Sequence, residues 1–131
     1  MNLCHLVIGG VVLRIVGFIG PSGTGKSHRA TWVARERGID YIIDDGLLIK
    51  GNAVVAGTSA KREPTKIASI RRALFINKEQ AEEMKEAIKK YNPESILILG
   101  TSDGMVETIA KNLGFPEVSE KVYINEVADE F

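Results

Sequence analysis

An apolar run that breaks into three glycines within six residues, and then into a lysine and a serine, leaves few folds open. Residues 11–27 read VVLRIVGFIGPSGTGKS. The β-branched and aliphatic residues of 11–19 favour an extended strand. Gly20, Gly23 and Gly25 then interrupt it, and a helix-compatible stretch follows over 27–37, closed by Gly38 as a C-cap. A strand that hands over to a helix through such a loop calls for an α/β layer structure, with the helix returning across the face of a sheet. The loop fits G-x-x-x-x-G-K-[ST] without a gap. Glycines let successive N–H groups turn inward into an anion nest, and the next helix aims its free N–H groups at the same point. Lys26 has the reach for β- and γ-phosphates, and Ser27 offers a hydroxyl to Mg²⁺. The expected nucleotide-contacting residues are Gly20, Pro21, Ser22, Gly23, Thr24, Gly25, Lys26, Ser27 and His28.

The rest of the chain keeps the α/β alternation. Residues 3–8 and 11–19 are expected to form two strands joined at Gly9-Gly10, a small N-terminal hairpin. A short strand over 39–44 ends in Asp44 and Asp45, and 47–50 and 53–56 read as a hairpin across Gly51-Asn52. A polar loop, 57–64, precedes a helix over about 65–75, with Ile67, Ile70 and Leu74 on one side. Asn77 and Gln80 have capping-box spacing for another helix, whose stripe is Ala81, Met84, Ile88 and Tyr91. Pro93 stops it. SILIL, 95–99, is the kind of strand buried on both faces. A helix over about 103–113 closes at Gly114, and an edge strand is expected near 121–125. The fold class is α/β: a mainly parallel sheet flanked by helices, in one domain spanning 1–131.

Beyond the loop, three groups are candidates for chemistry. Asp44 and Asp45 end a strand whose C-terminal edge a parallel sheet would share with the glycine loop. One can bind a magnesium-held water and the other accept a proton. The competing reading is a polar Asp-Gly turn. Adjacent side chains diverge, so Asp44 is favoured as the metal-side residue with Ser27. Thr101, with Ser102 and Asp103, follows SILIL and either touches the γ-phosphate or caps the next helix. Arg62, with Lys61 and Lys66, lies in or beside the polar loop. It is a clamp on transferred charge, a solvated residue or part of a partner-contact patch. Arg71 and Arg72 are expected on a solvated face. His5 and His28 have no metal-binding partner at useful spacing, and Trp32 is expected in the core.

Charge narrows the class of partner. Seventeen basic and 17 acidic residues cancel. That balance, with no aromatic set interleaved among the basic residues, argues against nucleic acid without closing that option. Between Ser59 and Lys78, however, Lys61, Arg62, Lys66, Arg71, Arg72 and Lys78 face Glu63 alone. The single cysteine, Cys4, excludes an internal disulfide and reads as a small buried hydrophobe. The apolar N-terminus lacks a basic flank and is interrupted by Gly9, Gly10 and Arg14. No membrane span is therefore expected, and cytoplasmic residence is the default.

The loop is the Walker A motif, and on it the chain resembles the P-loop NTPase superfamily. Over residues 11–56 it also resembles the HPr serine kinase/phosphorylase family. That family's G-x-S-G-x-G-K-S loop matches Gly20, Ser22, Gly23, Gly25, Lys26 and Ser27, and its paired aspartates match Asp44 and Asp45. The resemblance implies ATP, Mg²⁺ and an aspartate that assists phosphate transfer to a hydroxyl. The functional expectation is an ATP- or GTP-binding protein that transfers phosphate to water or to a small-molecule or protein acceptor. The alternative is a nucleotide-sensing module with little turnover, which uses the basic region 61–72 to contact a partner.

Overall fold

The computed structural model describes residues 7–8, 11–23 and 25–127. Its elements in chain order are β1 (Val7–Ile8), β2 (Val11–Val12), β3 (Arg14–Ile19), α1 (Lys26–Glu36), β4 (Tyr41–Asp44), β5 (Leu47–Lys50) and β6 (Ala53–Gly57). A 3-10 turn (Ala60–Arg62) leads to α2 (Lys66–Ala73), α3 (Lys78–Tyr91), β7 (Ser95–Gly100), α4 (Asp103–Asn112), β8 (Val118–Tyr123) and α5 (Ile124–Val127).

The continuous apolar run of β7 makes it the centre of the molecule, with every residue buried. It lies between β4 and β3 in a six-stranded sheet of order β6-β5-β4-β7-β3-β8. Strands β4, β7, β3 and β8 run parallel, and the β5–β6 hairpin extends the sheet antiparallel beyond β4. Asp44, Gly100, Ile19 and Tyr123 therefore end four strands on one edge. Alternate residues feed two cores. Val16, Phe18, Leu97 and Leu99 pack with Ala30, Val33 and Ala34 of α1, and Trp32 rests against this layer. Ile15, Ile19, Ile96 and Ile98 belong to a second core with residues of α3 and α4. Helices thus flank both faces of a mixed, mainly parallel sheet.

The N-terminal pair is shorter than expected. β1 and β2 pair antiparallel in a sheet of their own, while the second expected strand breaks at Leu13 before β3 enters the main sheet. Residues 3–6, including Cys4 and His5, and the Gly9-Gly10 junction lie outside the described residues. At the other end, the strand expected near 121–125 is β8, Val118–Tyr123, followed by the short α5. Pairing with β3 sets its limits, and the register includes an irregularity between Ile15 and Val16.

The α2 helix corrects the expected orientation. None of its residues is buried; Ile67 is 73% exposed and Ile70 49%. Arg72, expected on the solvated side, is instead half-buried, forms an ion pair with Glu63 and gives its carbonyl to the Gln80 side chain. Arg72 also passes close to the β4–β5 turn: a Cβ added at Gly46 would lie 2.7 Å from the Thr58 carbonyl oxygen and 3.3 Å from Arg72 Cγ. Local caps behave as the composition suggests. Thr65, Asn77 and Ser102 accept the N–H groups of Ala68, Gln80 and Met105 at the starts of α2, α3 and α4.

Gly57 locks the β5–β6 hairpin against the β4–β5 turn. Its φ is +91°, and a Cβ would fall 2.2 Å from the Gly46 carbonyl oxygen. Gly51 also has positive φ, at +62°, but faces open space. Gly57→Ala should therefore lower unfolding free energy by about 3 kcal/mol or more, and Gly51→Ala by about 1 kcal/mol. Urea unfolding of the two variants checks this order.

Candidate phosphate-binding site

The loop after β3 is fixed at its start and shaped by backbone sign further on. Gly20 N–H donates to the Gly100 carbonyl at 3.1 Å, tying the loop to the end of β7. Gly23 and Gly25 have φ of +80° and +76°, and a Cβ at either would meet nothing within 4 Å. Glycine is needed there for its left-handed backbone rather than for space. Pro21, Ser22 and Gly23 are exposed, Gly20 is buried, and Thr24 lies outside the described residues.

Helix α1 begins differently from its neighbours. Its N-cap is the left-handed Gly25, no side chain caps it, and its first turn holds no acid. The bond from Arg29 N–H to the Gly25 carbonyl, at 3.1 Å, is the first of the helix. The N–H groups of Lys26, Ser27 and His28 therefore precede the helical ladder, at the positive end of the helix dipole. Where α2, α3 and α4 each supply a side-chain oxygen, α1 presents only amides. That is the local chemistry of an anion site.

Ser27 Oγ donates to Asp44 Oδ2 at 2.6 Å. Lys26 is half-buried beside them; burial lowers its pKa from the usual 10.5, and the Asp44 charge opposes that shift. Asp45 takes another direction. It and Gly46 have positive φ, 57° and 84°, between the paired residues Asp44 and Leu47. That is the pattern of a two-residue type I′ hairpin turn. The Asp45 carboxylate accepts the Ser59 hydroxyl, and its carbonyl accepts Ala60 N–H at 2.9 Å. The two aspartates thus point to different partners: Asp44 to the glycine loop, Asp45 to the segment that opens the 3-10 turn.

Thr101 directly follows Gly100 and so borders the loop; its N–H and Oγ1 lie 3.3 and 3.5 Å from Met105 Sδ. Ser102, not Asp103, caps α4. Asp103 instead accepts Tyr123 Oη at 2.9 Å and pairs with Lys121. The hydrogen bond to Asp103 raises the Tyr123 pKa. Arg62 and His28 are exposed, and no hydrogen bond or ion pair joins Arg62 to Lys26, Ser27 or Asp44 among the described residues. Sequence reading missed Ser59 and Tyr123. Ser59 stands in a featureless polar loop, and Tyr123 is brought level with Ile19 only by the parallel pairing of β8 with β3.

No three His, Cys, Asp or Glu side chains converge to hold a metal among the described residues. A preformed cage is not what Mg²⁺ needs beside a polyphosphate, where one or two protein oxygens complement phosphate and water. Ser27 and Asp44, already in contact, fit that demand. Among the described residues no helix is long and apolar enough to cross a membrane.

The Lys26 shift has a defined sign. The unfolded chain keeps this proton to about pH 10.5 and the folded chain loses it earlier, so the lysine's contribution to stability rises with pH across that window. A bound polyanion favours the charged form. If a triphosphate is held beside Lys26, its affinity would therefore fall as pH enters the window, and binding there would take up protons. Titration calorimetry in buffers of different ionisation enthalpy measures that uptake, which Lys26→Met should abolish.

No known protein-family model matches the chain, and neither a curated protein nor a solved structure shows significant similarity to it.

Proposed function

We propose that this chain is a P-loop nucleotide-binding domain that holds ATP or GTP with Mg²⁺ and transfers the γ-phosphoryl group to water or a hydroxyl acceptor. The observation that carries this reading is the Ser27–Asp44 contact at the uncapped start of α1, beside the half-buried Lys26. The gap-free Walker A spacing and the resemblance over 11–56 support it further. The amides after Gly25 and the Lys26 ammonium would neutralise charge on the phosphates, and rigid donors in place before the reaction are worth more than mobile water. Ser27 and Asp44 would hold the metal, which supplies charge neutralisation at the phosphates. Thr101, which follows the Gly100 that ties down the loop, would border the terminal phosphate. Asp45 would act as a proton acceptor only after releasing Ser59, so its first role is to connect the turn to that segment. Arg62 would need the 3-10 turn to move before it could reach the phosphates.

A second reading, nucleotide sensing with little turnover, is favoured by one specific feature. The Asp45–Ser59 hydrogen bond and the Arg72 stem over Gly46 join the site to the basic segment 61–72. A shift of Asp44 toward a bound metal would reach that segment through two residues of turn.

Calorimetry with Mg-ATP and Mg-GTP should show saturable binding that Lys26→Ala weakens by about tenfold or more, equivalent to roughly 1.4 kcal/mol. If the enzyme reading holds, Asp44→Asn should cut turnover by about a hundredfold. Slow turnover indifferent to Asp44→Asn, with nucleotide-dependent changes at residues 59–72, would favour the sensor. Absence of binding to either nucleotide would overturn both.

A further inference from the structure

The apolar side of α2 is covered only at its C-terminal end, where Leu74 packs against the core; Ile67 and Ile70 are left exposed. Ile67 and Ile70 stand one turn apart and are 73% and 49% exposed, among the most exposed large hydrophobic residues described. The helix is held instead by its other side, through the Arg72–Glu63 ion pair and the bond from Gln80 to the Arg72 carbonyl. Lys66 and Arg71 are exposed on the same helix, and Lys61, Arg62 and Lys78 are exposed in the segments that flank it. Glu63 is the only acid from Ser59 to Lys78, and Arg72 pairs with it; Glu79 and Glu83 of α3 share a groove with Arg71 without pairing with it. None of the five exposed cations forms an ion pair among the described residues.

We infer that this face of α2 docks an acidic amphipathic segment of a partner protein. Two apolar side chains at helical spacing ask for apolar anchors on the partner, and the unpaired cations around them ask for carboxylates beside those anchors. Nucleic acid fits less well, because no aromatic residue occurs from Ser59 to Leu74 to stack on a base. A membrane surface fits less well too. Eight residues of helix span only about 12 Å, and two isoleucines bury little area for an interfacial anchor. The inference builds on the interaction reading above. It concerns the surface itself, which is measured without nucleotide so that the two can fail separately.

The test uses a fluorescein-labelled helical peptide with leucines three and four positions apart and glutamates flanking them, titrated with the whole chain by fluorescence anisotropy. Saturable binding that weakens with salt is expected. Ile67→Ala/Ile70→Ala and Lys66→Glu/Arg71→Glu should each reduce affinity by about tenfold or more. A lysine-for-glutamate version of the peptide should not bind. All four substituted side chains are exposed, so circular dichroism and an unchanged Tm verify that the variants are folded. Equal affinity of the parent and Ile67→Ala/Ile70→Ala proteins, or no saturable binding of the acidic peptide, would overturn the inference. So would tighter binding to phosphatidylserine vesicles or to a single-stranded oligonucleotide with the same sensitivity to these substitutions.

Discussion

Ser27 and Asp44 meet at 2.6 Å on an edge set by a strand made much later in the chain, which lies between β3, the strand that leads into the loop before Ser27, and β4, which ends in Asp44. β7 pairs in parallel with β3 on one side and β4 on the other, so all three end at the same edge. Its burial requires residues that are apolar on both faces, which SILIL supplies. Remove that strand and the glycine loop loses the Gly100 carbonyl that receives Gly20 N–H, while β4 loses its parallel neighbour. Everything assigned to the phosphate site rests on this central pairing.

The same edge shows how backbone and side chain divide the work. Left-handed Gly23 and Gly25 give up conformational freedom in the unfolded chain to set a curl that other residues adopt poorly. Helix α1 gives up a side-chain cap, commonly worth about 1 kcal/mol, and keeps its first amides ahead of the helical ladder. Lys26 remains partly desolvated, with Asp44 as a nearby opposing charge. The left-handed glycines, the missing cap and the desolvation of Lys26 each cost stability in the free protein, and an anion in the loop, as proposed, would offset those costs. Farther out, the Asp45-Gly46 turn carries the consequences sideways. It binds Ser59 through one residue and lies close to the Arg72 stem at the other.

Much of this was readable locally. The strand–loop–helix unit, the cap at Asn77 and the continuous burial of SILIL follow from spacing and composition within a dozen residues, whereas the choice of Ser102 over Asp103 as the cap of α4 does not. What could not be read depends on contacts between distant segments. The periodicity of α2 correctly groups Ile67 with Ile70, yet the half-buried position of Arg72 depends on partners outside the helix, Glu63 and Gln80. Likewise, divergence of adjacent side chains singles out Asp44 for the Ser27 side, but the contact of Asp45 with Ser59 depends on the left-handed backbone at Asp45 and on a segment 14 residues away. The extent of β8 and the position of Tyr123 follow from register with β3, and alternation within 118–125 is too weak to declare it.

The central claim is that an inward-facing amide loop, a lysine and a serine form a polyphosphate cradle. A crystal structure with Mg²⁺ and a nonhydrolysable ATP analogue tests it most directly. The account predicts phosphate oxygens within hydrogen-bonding distance of the Gly25, Lys26 and Ser27 amides, with Lys26 Nζ beside them and Ser27 Oγ released from Asp44 toward the metal. A triphosphate bound elsewhere, with the Ser27–Asp44 hydrogen bond still in place, would contradict it.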